Sequence, residues 1–217
     1  MHLLVSLDRE VIEISARSLW ISGISCLLSS LICLPLASLI HFHNFRGKRV
    51  LINIIQTFFS LPTVLVGLFV FVLFSRTGPL GELGILFTPT AMVIGQVILV
   101  SPLLLGLTIS ALSGVSREVV DTAISLGADS FQVIWLVLKE ARYAVLAAVI
   151  MGFGRAISEV GCAIMVGGNI KGFTRTITTA ISLETSKGEL ELSIALGIIL
   201  LLVALIINVA LNRLQQR

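Results

Sequence analysis

Two opposite charges stand four residues apart in an otherwise apolar stretch, GFGRAISEVGCAIMVGG at 152–168, where Arg155 precedes Glu159. On a helix, i and i+4 share a face and can pair. A charge at the centre of a bilayer costs at least about 2.5 kcal/mol, so both side chains must face protein or water. Two roles are open. The pair can fix a helix or an interface, or Arg155 can partly compensate an anion while Glu159 prevents tight trapping. Gly167-Gly168-Asn169 then interrupts the apolar pattern, and Asn169, Thr174, Thr176, Thr178 and Thr179 follow closely. Amide and hydroxyl donors of this kind can hydrogen-bond an oxyanion without holding it by charge. A polar hairpin with its turn at Gly168-Asn169 accounts for the same residues. The segment is therefore a candidate anion-contacting site.

Other reactive residue types are sparse. Cys26, Cys33 and Cys162 lie in apolar runs without metal-ligand spacing, as small packing residues would. His41 and His43 sit two apart at the end of an apolar run with no carboxylate near them, so a metal site is not expected. No nucleophile stands beside a base and no Gly-x-x-x-x-Gly-Lys-Ser/Thr loop occurs, which argues against a membrane enzyme or a chain that binds its own nucleotide.

The elements that position these residues must lie in a membrane. Of the 217 residues 56% are hydrophobic and only 12% charged, and the mean hydropathy is +1.06. Charge-free runs at 18–40, 50–75, 83–116 and 192–212 each exceed the roughly 20 residues needed to cross a hydrocarbon core. A fifth, 143–166, is broken only by Arg155 and Glu159. Five spanning helices in a single domain over 1–217 are expected, with lipid as their surroundings and no call for nucleic acid. The first run is too long for a cleaved signal and follows a charged leader (Asp8, Arg9, Glu10, Glu13, Arg17), so it reads as a retained anchor. Val11, Ile12 and Ile14 among those charges suggest a short amphipathic helix along the interface.

Five crossings put the ends on opposite sides. With the N-terminus outside, the cytoplasm receives Arg46, Lys48, Arg49, Arg117, Lys139, Arg142, Arg213 and Arg217, and the exterior Arg9, Arg17, Arg76, Lys171, Arg175 and Lys187, eight against six. The excess and the dense 46–49 cluster favour that orientation. Most of the sequence outside the spans lies in 113–142. There Val119, Val120, Ala123 and Leu126 recur at helical spacing, Gly127 interrupts, and Phe131, Val133, Ile134, Leu136 and Val137 resume. Two short helices with a glycine bend are expected.

Asp121-Thr122-Ala123, Gly127 four residues after the alanine, and Val137-Leu138 resemble the cytoplasmic EAA loop of ATP-binding-cassette importer permeases. The chain departs from that pattern in Asp-Thr-Ala for Glu-Ala-Ala and in Leu138-Lys139 for Leu-Pro. A second stretch resembles the molybdate and tungstate branch: Arg155-Ala156-Ile157-Ser158-Glu159-Val160-Gly161, then Met165-Val166-Gly167-Gly168-Asn169-Ile170, Gly172, Thr174, Thr176 and Thr178. Ile157-Ser158-Glu159-Val160-Gly161, Val166-Gly167-Gly168-Asn169, Arg175 and Leu183-Glu184-Thr185-x-Lys187-Gly188 look most like tungstate permeases.

The resemblance implies an all-α membrane protein of the type I importer permease fold, working as a homodimer. A cytoplasmic ATPase dimer would dock on a coupling loop carrying Asp121, Thr122, Ala123, Leu126, Gly127, Ala128 and Phe131. An external or periplasmic solute-binding protein would deliver the substrate. ATP and Mg would sit on the partner, with no cofactor on this chain. The pathway and gate residues would be Arg155, Glu159, Asn169, Thr174, Thr176 and Thr178, in a cell (inner) membrane protein with its C-terminus cytoplasmic. Molybdate or a sulfate-like oxyanion is the alternative cargo. A stand-alone secondary transporter or channel is the alternative class, disfavoured by the lack of an internal inverted repeat.

Overall fold

The computed structural model describes residues 9–215, so Asp8 and Arg217 lie outside the described residues. Among the described residues every regular element is a helix. The first is α1 (Arg9–Phe42). A tight 3-10 turn (Phe58–Ser60) continues α2 (Lys48–Thr57), and α3 (Thr63–Phe74) follows. After a loop come α4 (Pro89–Ser113), α5 (Arg117–Ser125), α6 (Ser130–Glu140) and α7 (Arg142–Ile157). The chain ends in α8 (Gly161–Gly167), α9 (Ile177–Lys187) and α10 (Leu190–Gln215).

The helices α1, α4 and α10 are long and apolar enough to cross a membrane as single rods. The other two expected crossings are bent pairs rather than straight helices. From α2 and its 3-10 turn into α3 the axis turns by 96°, and from α7 into α8 by 59°. The first bend has a local cause. A residue before proline is driven out of the α region, and Leu61 (ψ 125°) and Pro62 (ψ 122°) are both extended. The run at 83–116 also starts later than its hydropathy implies, because a loop with a 3-10 turn at Gly81–Leu83 precedes the Thr88 cap of α4.

The leader is not a separate interfacial helix. It forms the first turns of α1, a rod of about 51 Å at 1.5 Å per residue. Val11 and Ile14 are buried there against Ile177, Ala180 and Leu196. The charges of the leader find partners far along the chain: Lys171 Nζ donates to Glu10 Oε2 at 2.8 Å, and Arg17 donates to the carbonyls of Arg175 (3.0 Å) and Gly172 (2.9 Å).

Close helix packing rests on small residues, as expected where lipid offers no hydrophobic drive between helices. Ser18, Ser22, Ser25, Ser29, Cys33 and Ala37 form a buried stripe on α1, the helix that lies along α4. Several of these serines satisfy themselves within α1, as in Ser25 Oγ to Ile21 O at 2.8 Å. All three cysteines are buried and free, in keeping with a packing role. Cys162 of α8 is wedged between two glycines: a Cβ on Gly67 of α3 would lie 2.9 Å from its Cα, and one on Gly95 of α4 would lie 2.6 Å from its Sγ.

Gly67→Ala must push α3 off a backbone atom, and overpacking of this kind costs about 1–3 kcal/mol. We expect a lower melting temperature for the purified variant. Gly197→Ala on α10 meets no atom within 4 Å and should melt no lower than wild type.

Candidate coupling and gating sites

The loop at 113–142 folds as α5 and α6 joined by a tight turn, as its pattern implied. Gly127 takes φ +89°, a conformation L side chains rarely adopt. Its N–H donates to Ile124 O at 2.9 Å, and that of Ala128 to Ala123 O at 3.0 Å, closing α5. Asp129 opens α6 with a capping box: Gln132 N–H donates to Asp129 Oδ1 (2.8 Å) and Asp129 N–H to Gln132 Oε1 (2.9 Å). The Asp-x-x-Gln spacing is a capping signature present in the sequence but absent from the sequence-based reading.

This hairpin of helices exposes large apolar side chains. Leu126 is 84% exposed and Phe131 76%, with Trp135 at 64% and Ile124 at 55%. Asp121, Thr122 and Gly127 are exposed, and Ala123 and Ala128 are half-buried. The roots of the hairpin are fixed by Leu112, Val137 and Ala141, which pack with Phe42 from the end of α1. The apolar face is therefore rigidly mounted and uncovered in the isolated chain, which suits a helix-in-groove contact.

The second site lies at the break between α7 and α8. Arg155 occupies the last turn of α7 and Glu159 the break itself, so the two do not share one straight helix. They nevertheless pair, Arg155 NH1 donating to Glu159 Oε2 at 3.1 Å. The Glu159 side chain is 2% exposed and that of Arg155 34%. The other carboxylate oxygen, Oε1, accepts the Cys162 N–H in the first turn of α8 at 2.9 Å. One side chain thus ties the end of α7 to the start of α8.

Where a helix breaks inside a membrane, the freed backbone groups need internal partners. Here they come from side chains, two of them on other helices. Gln96 Nε2 of α4 donates to Ala156 O (3.1 Å), Ser158 Oγ to Arg155 O (3.2 Å), and Thr178 Oγ1 of α9 to Glu159 O (2.7 Å). The bend also presses against the other one, since a Cβ on Gly161 would lie 2.9 Å from Thr63 Oγ1 at the start of α3.

The structure brings most of the expected gate residues into one cluster. Thr174 Oγ1 donates to Gly167 O (2.5 Å) and accepts from Ile170 N–H (2.9 Å). Asn169, at φ +49°, donates from Nδ2 to Thr179 O (3.1 Å). The Thr176 and Thr179 side chains form a capping box at the start of α9, and Thr176 Oγ1 lies 3.4 Å from Thr178 Oγ1. Thr174, Thr176 and Thr178 are buried, and the Thr174 and Thr178 hydroxyl protons are committed to carbonyls of this chain. The more accessible cationic group in the cluster is Arg155.

Sequence reasoning missed Gln96, a buried amide in a charge-free run, which is itself a signal of a polar duty inside a span. It also missed the buried Arg175–Glu184 pair, 3.4 Å apart. The eight residues between those two gave no sign of their contact.

A family model described as "Binding-protein-dependent transport system inner membrane component" matches residues 33–217. The chain belongs to this family of transport permeases. It is 42% identical over 216 residues to the "Tungstate uptake system permease protein TupB" of Peptoclostridium acidaminophilum, covering 100% of this chain and 95% of the relative. It is also 42% identical over 212 residues to the "Probable anion ABC transporter permease protein" of Haloferax volcanii, covering 95% and 91%. Among solved structures, a chain of the inward-facing MetNI methionine ABC transporter superposes with a TM-score of 0.76 at 16% identity, over 96% of this chain and 95% of that one. That likeness establishes the type I ABC importer fold. The permease is thus an integral membrane subunit of an ABC importer, a class defined by an ATPase and a binding-protein partner.

Glu159→Gln keeps an acceptor for the Cys162 N–H and loses the charge, whereas Glu159→Ala loses both. Thermal unfolding should rank wild type above Gln and Gln above Ala, the last step being about 0.5–2 kcal/mol, the worth of a helix cap. In a double-mutant cycle with Arg155→Gln, the pair should show coupling, limited to about 1 kcal/mol by the exposure of Arg155. Strictly additive effects would remove the ion pair as a unit.

Proposed function

We propose that this chain is the membrane-spanning subunit of an ATP-driven importer for a tetrahedral oxyanion, most specifically tungstate. The observation that carries the cargo is the 42% identity, over the whole chain, to a tungstate uptake permease. Molybdate, the alternative oxyanion, has the same shape and charge.

Two copies of the chain form the conduit between them, since one permease chain with so few crossings does not enclose a two-sided pathway and identical subunits associate most simply about a twofold axis. A cytoplasmic ATPase dimer, which holds the ATP and Mg, docks on the α5–α6 hairpin of each copy. Leu126 and Phe131 enter its groove, while Asp121, Thr122, Ala123 and Ala128 shape the bend around Gly127. The N-terminus is then outside and the C-terminus cytoplasmic, and an external binding protein delivers the anion near the 169–176 loop. Closure of the ATPases moves the hairpins, and through Phe42 and Val137 the rigid roots carry that motion to the spans. The copies rock between inward-open and outward-open states.

Within each copy, Arg155 offers partial positive charge to the passing dianion and Glu159 keeps it from binding tightly. Asn169, Thr174, Thr176 and Thr178 hold the wall of the gate in shape around it. A conduit with so few free donors cannot replace much of the hydration of a dianion, so selectivity rests with the binding protein.

Two measurements test this reading. Gly127→Pro removes the donor to Ile124 O and forbids the positive φ; the variant should insert and dimerise but lose binding-protein-stimulated ATP hydrolysis. In vesicles containing the complete transporter, tungstate uptake should follow the preference of the binding protein when that protein is exchanged for a docking-compatible one that favours another oxyanion. A preference that survived the exchange would put the selective step in this chain.

A further inference from the structure

Between α1 and α3 the chain carries a cationic elbow that the transport reading does not use. Arg46, Lys48 and Arg49 fall within four residues, and no Asp or Glu occurs from 14 to 81. Lys48 is occupied, donating to His41 O at 2.6 Å. Arg46 and Arg49 are exposed and have neither a hydrogen-bond nor an ion-pair partner among the described residues. Arg49 borders a cavity of about 410 Å³ that Asn44, Phe45, Gly47, Lys48 and Val50 also line, and Arg46 lies within the same turn of chain.

The helix that follows has three faces. Ile55 is buried against Ala37 and Ile109, with Leu51 and Ile52 beside it. Val50, Ile54 and Phe58, at i, i+4 and i+8, are 62%, 46% and 47% exposed. Arg49, Asn53, Gln56 and Ser60 form an exposed polar edge. A helix packed on one face, apolar on a second and polar on a third suits the boundary between hydrocarbon and water, and its 96° turn from α3 sets it apart from the spanning direction of that element.

We propose that Arg46, Arg49 and the Val50–Ile54–Phe58 stripe together bind an anionic phospholipid. The phosphate sits between the two guanidiniums, which match a phosphate with paired donors, and the acyl chains run along the stripe. Charge and shape both favour an amphiphile over a soluble acidic protein, which would leave the apolar stripe uncovered. The site lies at the end of the bundle that bears the coupling hairpin: His41 Nδ1 is 3.3 Å from Ser113 Oγ, and Phe42 packs with Leu112 and Val137 at the hairpin roots. The occupant therefore comes from the leaflet on that side.

The test uses the complete transporter in nanodiscs of mixed phosphatidylglycerol and phosphatidylcholine, with retained lipid counted by native mass spectrometry. Wild type should retain phosphatidylglycerol preferentially, and the preference should fall with salt. Arg46→Gln with Arg49→Gln should cut it by roughly tenfold or more, given the worth of each basic residue at an anionic surface. Arg46→Lys with Arg49→Lys, which keeps the charge but not the paired donors, should retain a preference between those of wild type and the Gln variant. Equal retention of the two lipids by wild type would overturn the site. So would a Gln variant that keeps its lipid preference but loses affinity for the ATPase, since the arginines would then serve that protein instead.

Discussion

Inside a bilayer, every backbone N–H and C=O must find a partner within the protein, and this one requirement governs how the permease can bend. A straight helix meets it automatically. The α7–α8 break does not, and the chain meets the requirement there with side chains from three directions. Gln96 reaches from α4, Thr178 from α9, and Glu159 caps α8 from within the break. Glu159 does so as a carboxylate, which makes its bond to the Cys162 N–H stronger than a neutral one. Arg155 then answers the charge that this solution places in the membrane. The ion pair is thus a consequence of the bend.

The rest of the architecture follows from keeping that bend close to its neighbours. Gly67 lets α3 approach the backbone of α8, Gly95 lets α4 close on the Cys162 side chain, and Gly161 makes room for Thr63. The serine stripe of α1 does the same for the α1–α4 contact. At one end of the bundle α1 is tied to the 169–176 loop by Arg17 and by Glu10 with Lys171. At the other end it is tied to the coupling hairpin through Phe42.

The crossings and the hairpin were legible in the sequence because hydropathy and 3.6-residue periodicity report burial in lipid and amphipathicity directly. Direction was not legible. Hydropathy over 50–75 is the same for a straight span and for two helices at 96°, and only Leu61-Pro62 marked the turn. The leader was misread for a related reason: its charges look like those of an interfacial helix until partners some 155 to 161 residues away are known. For the 169–179 segment, the residue types and their proximity in sequence indicated a local polar cluster. The direction of each hydroxyl was not indicated, because Thr174 and Thr178 bond to carbonyls freed by breaks that the sequence did not reveal.

The central claim is that the α7–α8 break is a closed bend held by side-chain hydrogen bonds rather than an open or fluctuating joint. Amide hydrogen exchange of the assembled transporter in lipid nanodiscs tests it most directly, read on the peptide that spans 158–168. A capped bend requires the Cys162 amide and its neighbours in α8 to be protected as strongly as those in the middle of α4. Exchange of that peptide at the rate of an unstructured loop, with α4 still protected, would contradict the claim.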